Sequence, residues 1–216
     1  MAAMNPIDGQ PGLFKDPETG QILNVRDFRE GDKWDTIAIP AGEIVPGTQF
    51  IFFADIQAKR ETDTNIKTPR KLSAGESMIL DRIGLYPRSV LGDVVEVPRD
   101  IKKVFDNAYY RMKINDLLQT EGQAIFYPTG YGLYGNTTET DAGIISVGVP
   151  ATASAAKLIK RQLLNQNHEL EGLLRFDPRN WLQQLQPPII YTNPILEQPL
   201  AITNTLHGLI RSAVTK

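Results

Sequence analysis

From Pro199 to Val214 the chain reads PLAITNTLHGLIRSAV. Leu200, Ile202, Asn204 and Leu206 fall on alternate positions, the period of a β-strand with one face turned to a core. The phase shifts at Gly208, where a bulge fits, because a residue without a side chain lets a strand absorb an irregularity. The stretch predicts one long C-terminal strand. Similar short apolar runs, separated by turn-forming residues, recur from Trp34 onward. WDTIAI ends at Pro40, QFIFFADI follows the turn VPGT, and ESMILDRIGLY follows SAG. In the last of these, Met78, Leu80 and Arg82 share one face while Ile79 and Ile83 lie on the other, so the strand is expected to be covered on both sides. YYRMKIND, QAIFYP, GIISVGV, ELEGLLRF and PPIIYTN are further strand candidates. Short strands at this spacing predict a mainly β protein, an antiparallel β-sandwich or barrel.

Two segments read as short helices. PRDIKKVFDNAY places Ile101, Val104, Phe105 and Ala108 at helical spacing behind Pro98, a residue suited to a first turn. SAAKLIKRQLLNQ places Ala155, Leu158, Ile159, Gln162 and Leu163 on one helical face. DPRNWLQQLQPP fits a helix start at Asp177 and Pro178, and Trp181, Gln183 and Leu185 equally suit a strand. Residues 1–33 are rich in Gly, Pro and charge, with isolated apolar residues such as Leu13, Phe14, Ile22 and Leu23. Two readings stay open for them: a disordered terminus, or an extended arm that orders against a neighbouring subunit. The domain plan is an N-terminal arm over 1–33 and a sandwich over 34–216.

Composition narrows the function classes. The chain of 216 residues has 23 Lys and Arg against 25 Asp and Glu, a net charge of −2, far from the basic excess that phosphate neutralisation requires. Specific nucleic-acid binding is therefore not expected. The absence of cysteine excludes disulfides, thiolate metal sites and cysteine nucleophiles. No apolar run approaches the roughly 20 residues of a membrane span, and MAAMNPIDGQPGLF lacks the basic and apolar regions of a secretion signal.

Tests for chemistry return little. Gly130, Gly132 and Gly135 in GYGLYG match a dinucleotide-binding glycine pattern, but NTTETDAG follows as a loop without helical periodicity. No acidic residue stands about 20 positions on to hold a ribose, so Tyr131 and Tyr134 are read as loop aromatics that pack on a neighbour or lie exposed at a partner surface. His168 and His207 are the only histidines and lie in different segments, so no metal site and no cofactor is predicted. No G-x-S-x-G elbow frames a serine, and an enzyme is not expected. Lys67, Arg70 and Lys71 form a cationic cluster better suited to a solvated loop or a subunit boundary than to catalysis.

Phe52 and Phe53, Thr64 and Asn65, then Leu72, Gly75 and Glu76, then Ile83 and Gly84 occur in a set order. That order is a strand with a Phe-Phe pair, a Thr-Asn turn, a Leu-x-x-Gly-Glu segment and a strand running into Ile-Gly. With the closing ITNTLHGLIRSAV, it resembles jelly-roll structural proteins of the virions of bacterial viruses. The resemblance spans 37–87 and 200–214. It implies a single jelly roll and a non-enzymatic virion component, made in the host cytoplasm, that binds and stabilises a capsid lattice as a cement, decoration or minor capsid protein. Its implied partners are the major capsid protein and copies of itself, as a homotrimer or another symmetric oligomer, with no membrane insertion. Two alternatives stand beside it: a jelly-roll major capsid protein, and a carbohydrate-binding sandwich of a tail or receptor-binding structure. On the first reading the subunit-interface residues are Phe14, Lys67, Arg70, Lys71, Tyr131 and Tyr134, from the arm and from the loops 62–73 and 129–143.

Overall fold

The computed structural model describes residues 5–7, 10, 12–15, 20, 22–89, 98–127, 136–140, 143–147, 157–176 and 193–211. Among these residues, fifteen strands and one α-helix follow in chain order. They are β1 (Asn5–Pro6), β2 (Leu13–Lys15), β3 (Ile22–Asn24), β4 (Arg29–Ile39), β5 (Gly42–Glu43), β6 (Gln49–Phe52), β7 (Ser77–Ser89) and α1 (Pro98–Asn107). Then come β8 (Tyr109–Ile114), β9 (Leu117–Gln123), β10 (Asn136–Thr140), β11 (Gly143–Val147), β12 (Lys157–Asn165), β13 (Leu170–Arg175), β14 (Ile195–Leu196) and β15 (Leu200–Arg211).

Eight of the strands build an antiparallel β-sandwich. One sheet has the order β12-β7-β15-β4 and the other β6-β13-β8-β9. Taken in chain order, these eight pair first with last, second with seventh, third with sixth and fourth with fifth. The pairs are β4 with β15, β6 with β13, β7 with β12 and β8 with β9. The inner faces share one core, in which Ile37, Phe52, Leu80, Tyr110, Leu174 and Ile202 are buried together. Helix α1 adds Val104 to that core, with Ile101 and Phe105 packed at its margin, as the helical spacing predicts. Asp100 in its first turn is buried, and its carboxylate accepts the Glu197 and Gln198 N–H groups at 2.7 and 3.0 Å, which fastens the helix to the approach of β15.

The C-terminal strand forms as expected, but without the phase shift expected at Gly208: Leu200, Ile202, Leu206 and Ile210 all reach the main core and the pairing on β4 is unbroken, because the bulge lies in the neighbouring β7. Between His207 and Gly208 the pairing on β7 jumps from Arg82 to Leu80, leaving Asp81 as the extra residue. The same bulge explains the irregular pattern of β7, and it turns Ile83, expected on the face of Ile79, to the face of Met78 and Leu80 instead. Met78, Leu80, Ile83 and Leu85 all reach the main core, while Ile79 joins Leu23 and Phe28 in a small cluster on the outer face, with Leu163 and Leu209 against it. Both faces of the strand are thus covered.

Four further expectations are corrected. SAAKLIKRQLLNQ contains strand β12, not a helix. Its register on β7 slips between Leu158 and Gln162; Leu164 faces the main core, Ile159 packs at its margin and Leu163 packs on the outer cluster. A bulged strand covered on both faces imitates helical spacing, and pairing with β7 decides the outcome. QAIFYP is not a strand, because β9 ends at Gln123 and a 3₁₀ turn takes Ala124–Phe126. There Ala124 N–H bonds Ala108 O at 2.9 Å and Leu85 N–H bonds Tyr127 O at 2.8 Å. NTTETDAG is not a plain loop, since Asn136–Thr140 pairs with Gly143–Val147 as a hairpin. QFIFFADI is strand only as far as Phe52, because Phe53 turns to a φ of 67° and its N–H bonds a side chain instead.

The N-terminal segment forms the small sheet β1-β2-β3. Strand β4 begins at Arg29, ahead of the expected boundary at 34, because β15 is long enough to pair with it down to Ile210. PPIIYTN up to Thr192, and DPRNWLQQLQPP, lie outside the described residues.

Candidate functional site

The segment from Phe53 to Glu76 is fixed to the edge of the sandwich by its own polar groups. Asp35 faces inward by the alternation of β4 and is fully buried. A carboxylate there needs partners. It accepts the Phe53 N–H at 2.7 Å and the Lys59 ammonium at 2.8 and 2.9 Å. Asn65 clasps the outer edge of β4. Its Oδ1 accepts the Trp34 N–H at 2.9 Å, its Nδ2 donates to Asp32 O at 2.8 Å, and its N–H donates to Trp34 O at 3.3 Å. Thr64 forms a β-bridge with Asp35. Glu76 closes the segment by accepting Lys33 Nζ at 2.7 Å and the Ser73 N–H at 3.1 Å. Burial pushes the Glu76 carboxyl up, but Lys33 and Ser73 outweigh it and hold the group below its usual range.

Between the edge strands β4 and β6 this segment frames a groove of about 560 Å³. Its walls include Thr36, Ala38, Phe50, Ile51, Ala54 and Ala201, and its rim carries Asp55, Lys59, Arg60, Asp63 and Arg88. Volume and mixed lining are those of a ligand-sized recess. Asp63 accepts from Arg60 Nε at 3.2 Å and from Arg88 Nη2, while Arg88 Nη1 donates to Thr62 O at 2.9 Å. Partial burial, and then the nearby Arg60 guanidinium, lower the pKa of Arg88.

Of the residues singled out in the sequence, Lys67, Arg70 and Lys71 share one loop and Phe14 lies on another element. Arg70 occupies the third position of the turn Thr68–Lys71, behind Pro69, with φ 59° and a Lys71 N–H to Thr68 O bond of 3.1 Å. This is the pattern of a type II turn carrying an unusual residue. The guanidinium contacts Glu169 at 3.1 Å and Glu171 at 3.6 Å within the chain. Lys67 and Lys71 are exposed on the same loop. Phe14 sits in β2, paired with Leu23. Tyr131 and Tyr134 lie outside the described residues. His168 is in the turn after β12, its Nδ1 within 2.9 Å of Asn165 Oδ1, and His207 on β15 places Nδ1 2.9 Å from Asp32 Oδ1. Among the described residues no three His, Asp or Glu side chains gather where a metal ion could be held. No described helix is long and apolar enough to cross a membrane.

The groove was not anticipated. Its residues come from five separate parts of the chain, with no local signal in the sequence to join them. Comparison of the chain with protein-family models, curated proteins and solved structures finds no match.

Proposed function

We propose that this chain is a non-enzymatic structural protein of a bacterial-virus particle, one that binds and stabilises the capsid lattice. The nested pairing of the eight sandwich strands supports reading the fold as a single jelly roll, an architecture shared by capsid and lectin domains. That observation carries the proposal. The residues behind the resemblance also favour a scaffold. Phe53, Thr64, Asn65 and Glu76 brace one loop against β4, so they serve the framework and not a reaction.

Assembly is the test. The full chain, mixed with particles of the virus that encodes it, should co-sediment and saturate at a fixed number of copies per particle. A truncation removing residues 1–21 should weaken that binding without lowering the urea midpoint. A cut at residue 30 would be uninformative, because Leu23 and Phe28 pack on Ile79 of the sandwich. Failure of the full chain to co-sediment refutes the proposal.

A further inference from the structure

The groove between β4 and β6 is bordered by two open strand edges. In an antiparallel ladder the backbone groups of successive residues point alternately to the two sides. Trp34 uses its N–H and C=O on the outer side, where Asn65 takes both. The pairing of β4 with β15 runs without a register shift from Arg29 to Ile39, so Thr36 and Ala38 also direct their N–H and C=O outward. The bridge of Asp35 with Thr64 sets Asp63 C=O against the Thr36 N–H, so the edge is open from the Thr36 C=O to both backbone groups of Ala38, and both residues line the groove. The facing strand behaves alike. Phe176 N–H bonds Thr48 O at 2.9 Å, which turns the backbone groups of Phe50 and Phe52 toward β13 and those of Gln49 and Ile51 toward the groove.

The rim supplies a charge preference. Arg60 and Arg88 share the single carboxylate of Asp63, leaving a local excess of one positive charge. The Arg60 side chain is 74% exposed, and only its Nε bonds a described side chain. Lys59 is neutralised by Asp35, and Asp55 lines the groove with its Oδ1 on the Gln57 N–H at 3.2 Å. The lining carries three cations against two carboxylates, and the buried Asp35 behind Lys59 brings the sum to zero, so the excess is confined to the two guanidiniums.

We propose that this groove docks an extended, carboxylate-bearing segment of a partner polypeptide, which adds as a strand to the open edge of β4. The chain already shows the mode in miniature, because Thr64 bridges Asp35 on the same edge one step before the open positions. A bound strand would continue that ladder along Thr36 and Ala38. Its alternate side chains would meet Phe50, Ala54 and Ala201, and its carboxylate would meet Arg60. Main-chain bonds would give the affinity, while the apolar wall and the guanidinium would give the selection. The proposal stands apart from the virion reading.

A library of displayed random nonapeptides, panned on the full chain, tests it. The expected binders combine β-branched residues with one Asp or Glu. A synthetic copy of the best binder should lose about tenfold in affinity on Ala38→Pro, which removes an edge-directed donor, and on Arg60→Gln, which removes the charge-assisted contact. The same peptide should slow hydrogen exchange at the Ala38 amide of the unaltered chain, a readout that survives if Ala38→Pro does not fold. An absence of binders, binders without a carboxylate, or binding that leaves the Ala38 amide unprotected would overturn the proposal.

Discussion

Gly208 and Gly31 face each other across β15 and β4, yet replacing them by alanine should have very different consequences. Neither has a positive φ, so an alanine is acceptable to both backbones and the comparison isolates packing. At Gly208 the new Cβ would lie 2.0 Å from Ile79 O, 2.9 Å from Ile79 C and 3.2 Å from Leu80 Cα. Ordinary carbon–oxygen approach is about 3.3 Å, so β15 and β7 would have to part by about 1 Å. Strand β15 is paired on both sides and cannot retreat without disturbing β4. Two weakened ladder bonds at about 1 kcal/mol each, with overpacking of about 1–3 kcal/mol, give a loss of about 3–5 kcal/mol. At Gly31 the nearest atom is Ile210 Cδ1 at 3.0 Å, the end of a side chain that can rotate away. Relief of unfolded-chain entropy offsets much of that contact, so the change should stay within about 1 kcal/mol of zero. Urea unfolding of the two variants, with equal slopes to confirm a common unfolded state, measures the difference. A gap smaller than about 1 kcal/mol would refute the reasoning from backbone contact.

Other predictions concern the core, the loop and pH. Tyr110 is fully buried and its hydroxyl accepts from Asn204 Nδ2 at 2.6 Å; burial raises its pKa well beyond the usual tyrosine range, though the Asn204 bond pulls the other way. Tyr110→Phe should cost about 1–3 kcal/mol by stranding Asn204, and ultraviolet titration of the native chain should find this phenol un-ionised at a pH where exposed tyrosines have titrated. Because the Glu76 carboxyl is held low in the folded chain, its contribution is present above its unfolded value near 4.5 and lost as pH falls through the folded value. Urea midpoints from pH 6 to 3 should therefore fall less steeply in Glu76→Gln than in the unaltered chain, and identical slopes would remove the Lys33 contact as the cause. Reversing the exposed Lys67 and Lys71 together to Glu should weaken particle binding while changing stability by about 0.5 kcal/mol or less. Undiminished co-sedimentation would take both lysines out of the subunit interface.

Much of the sandwich is legible because its strands bury one face or two in simple alternation. The run from Leu200 to Leu206 reads directly as strand, but the phase change expected at Gly208 does not occur, since the extra residue, Asp81, belongs to β7 and β15 keeps its alternation as far as Ile210. Helix α1 is equally readable, since Ile101, Val104 and Phe105 turn one stripe to the core. Legibility fails where a neighbour decides. Leu158, Ile159 and Leu163 carry a spacing that suits a helix, and only the free side of β7 makes them a strand. Phe53 continues an apolar run, but the buried carboxylate of Asp35, 18 positions earlier, takes its N–H and ends the strand. The groove is hidden for the same reason. Thr36, Phe50, Arg60, Arg88 and Ala201 share no local pattern and meet only after two edges are brought side by side.

The nested pairing also governs the order in which the chain can acquire its structure. The first sandwich strand bonds the last, and the other three pairs close progressively shorter loops inside it. During synthesis β8 and β9 can meet at once through the two-residue turn at Asn115 and Asp116, both at positive φ, but the sheet containing β4 lacks its central strand until residues 200–211 emerge. Until then Ile37, Ile39, Met78 and Leu80 have no β15 to cover them. Pairings so distant in sequence form slowly, and a nascent chain with such exposed strands is prone to associate wrongly. Shortening the C-terminus before Leu200 should therefore yield not a smaller soluble domain but insoluble protein.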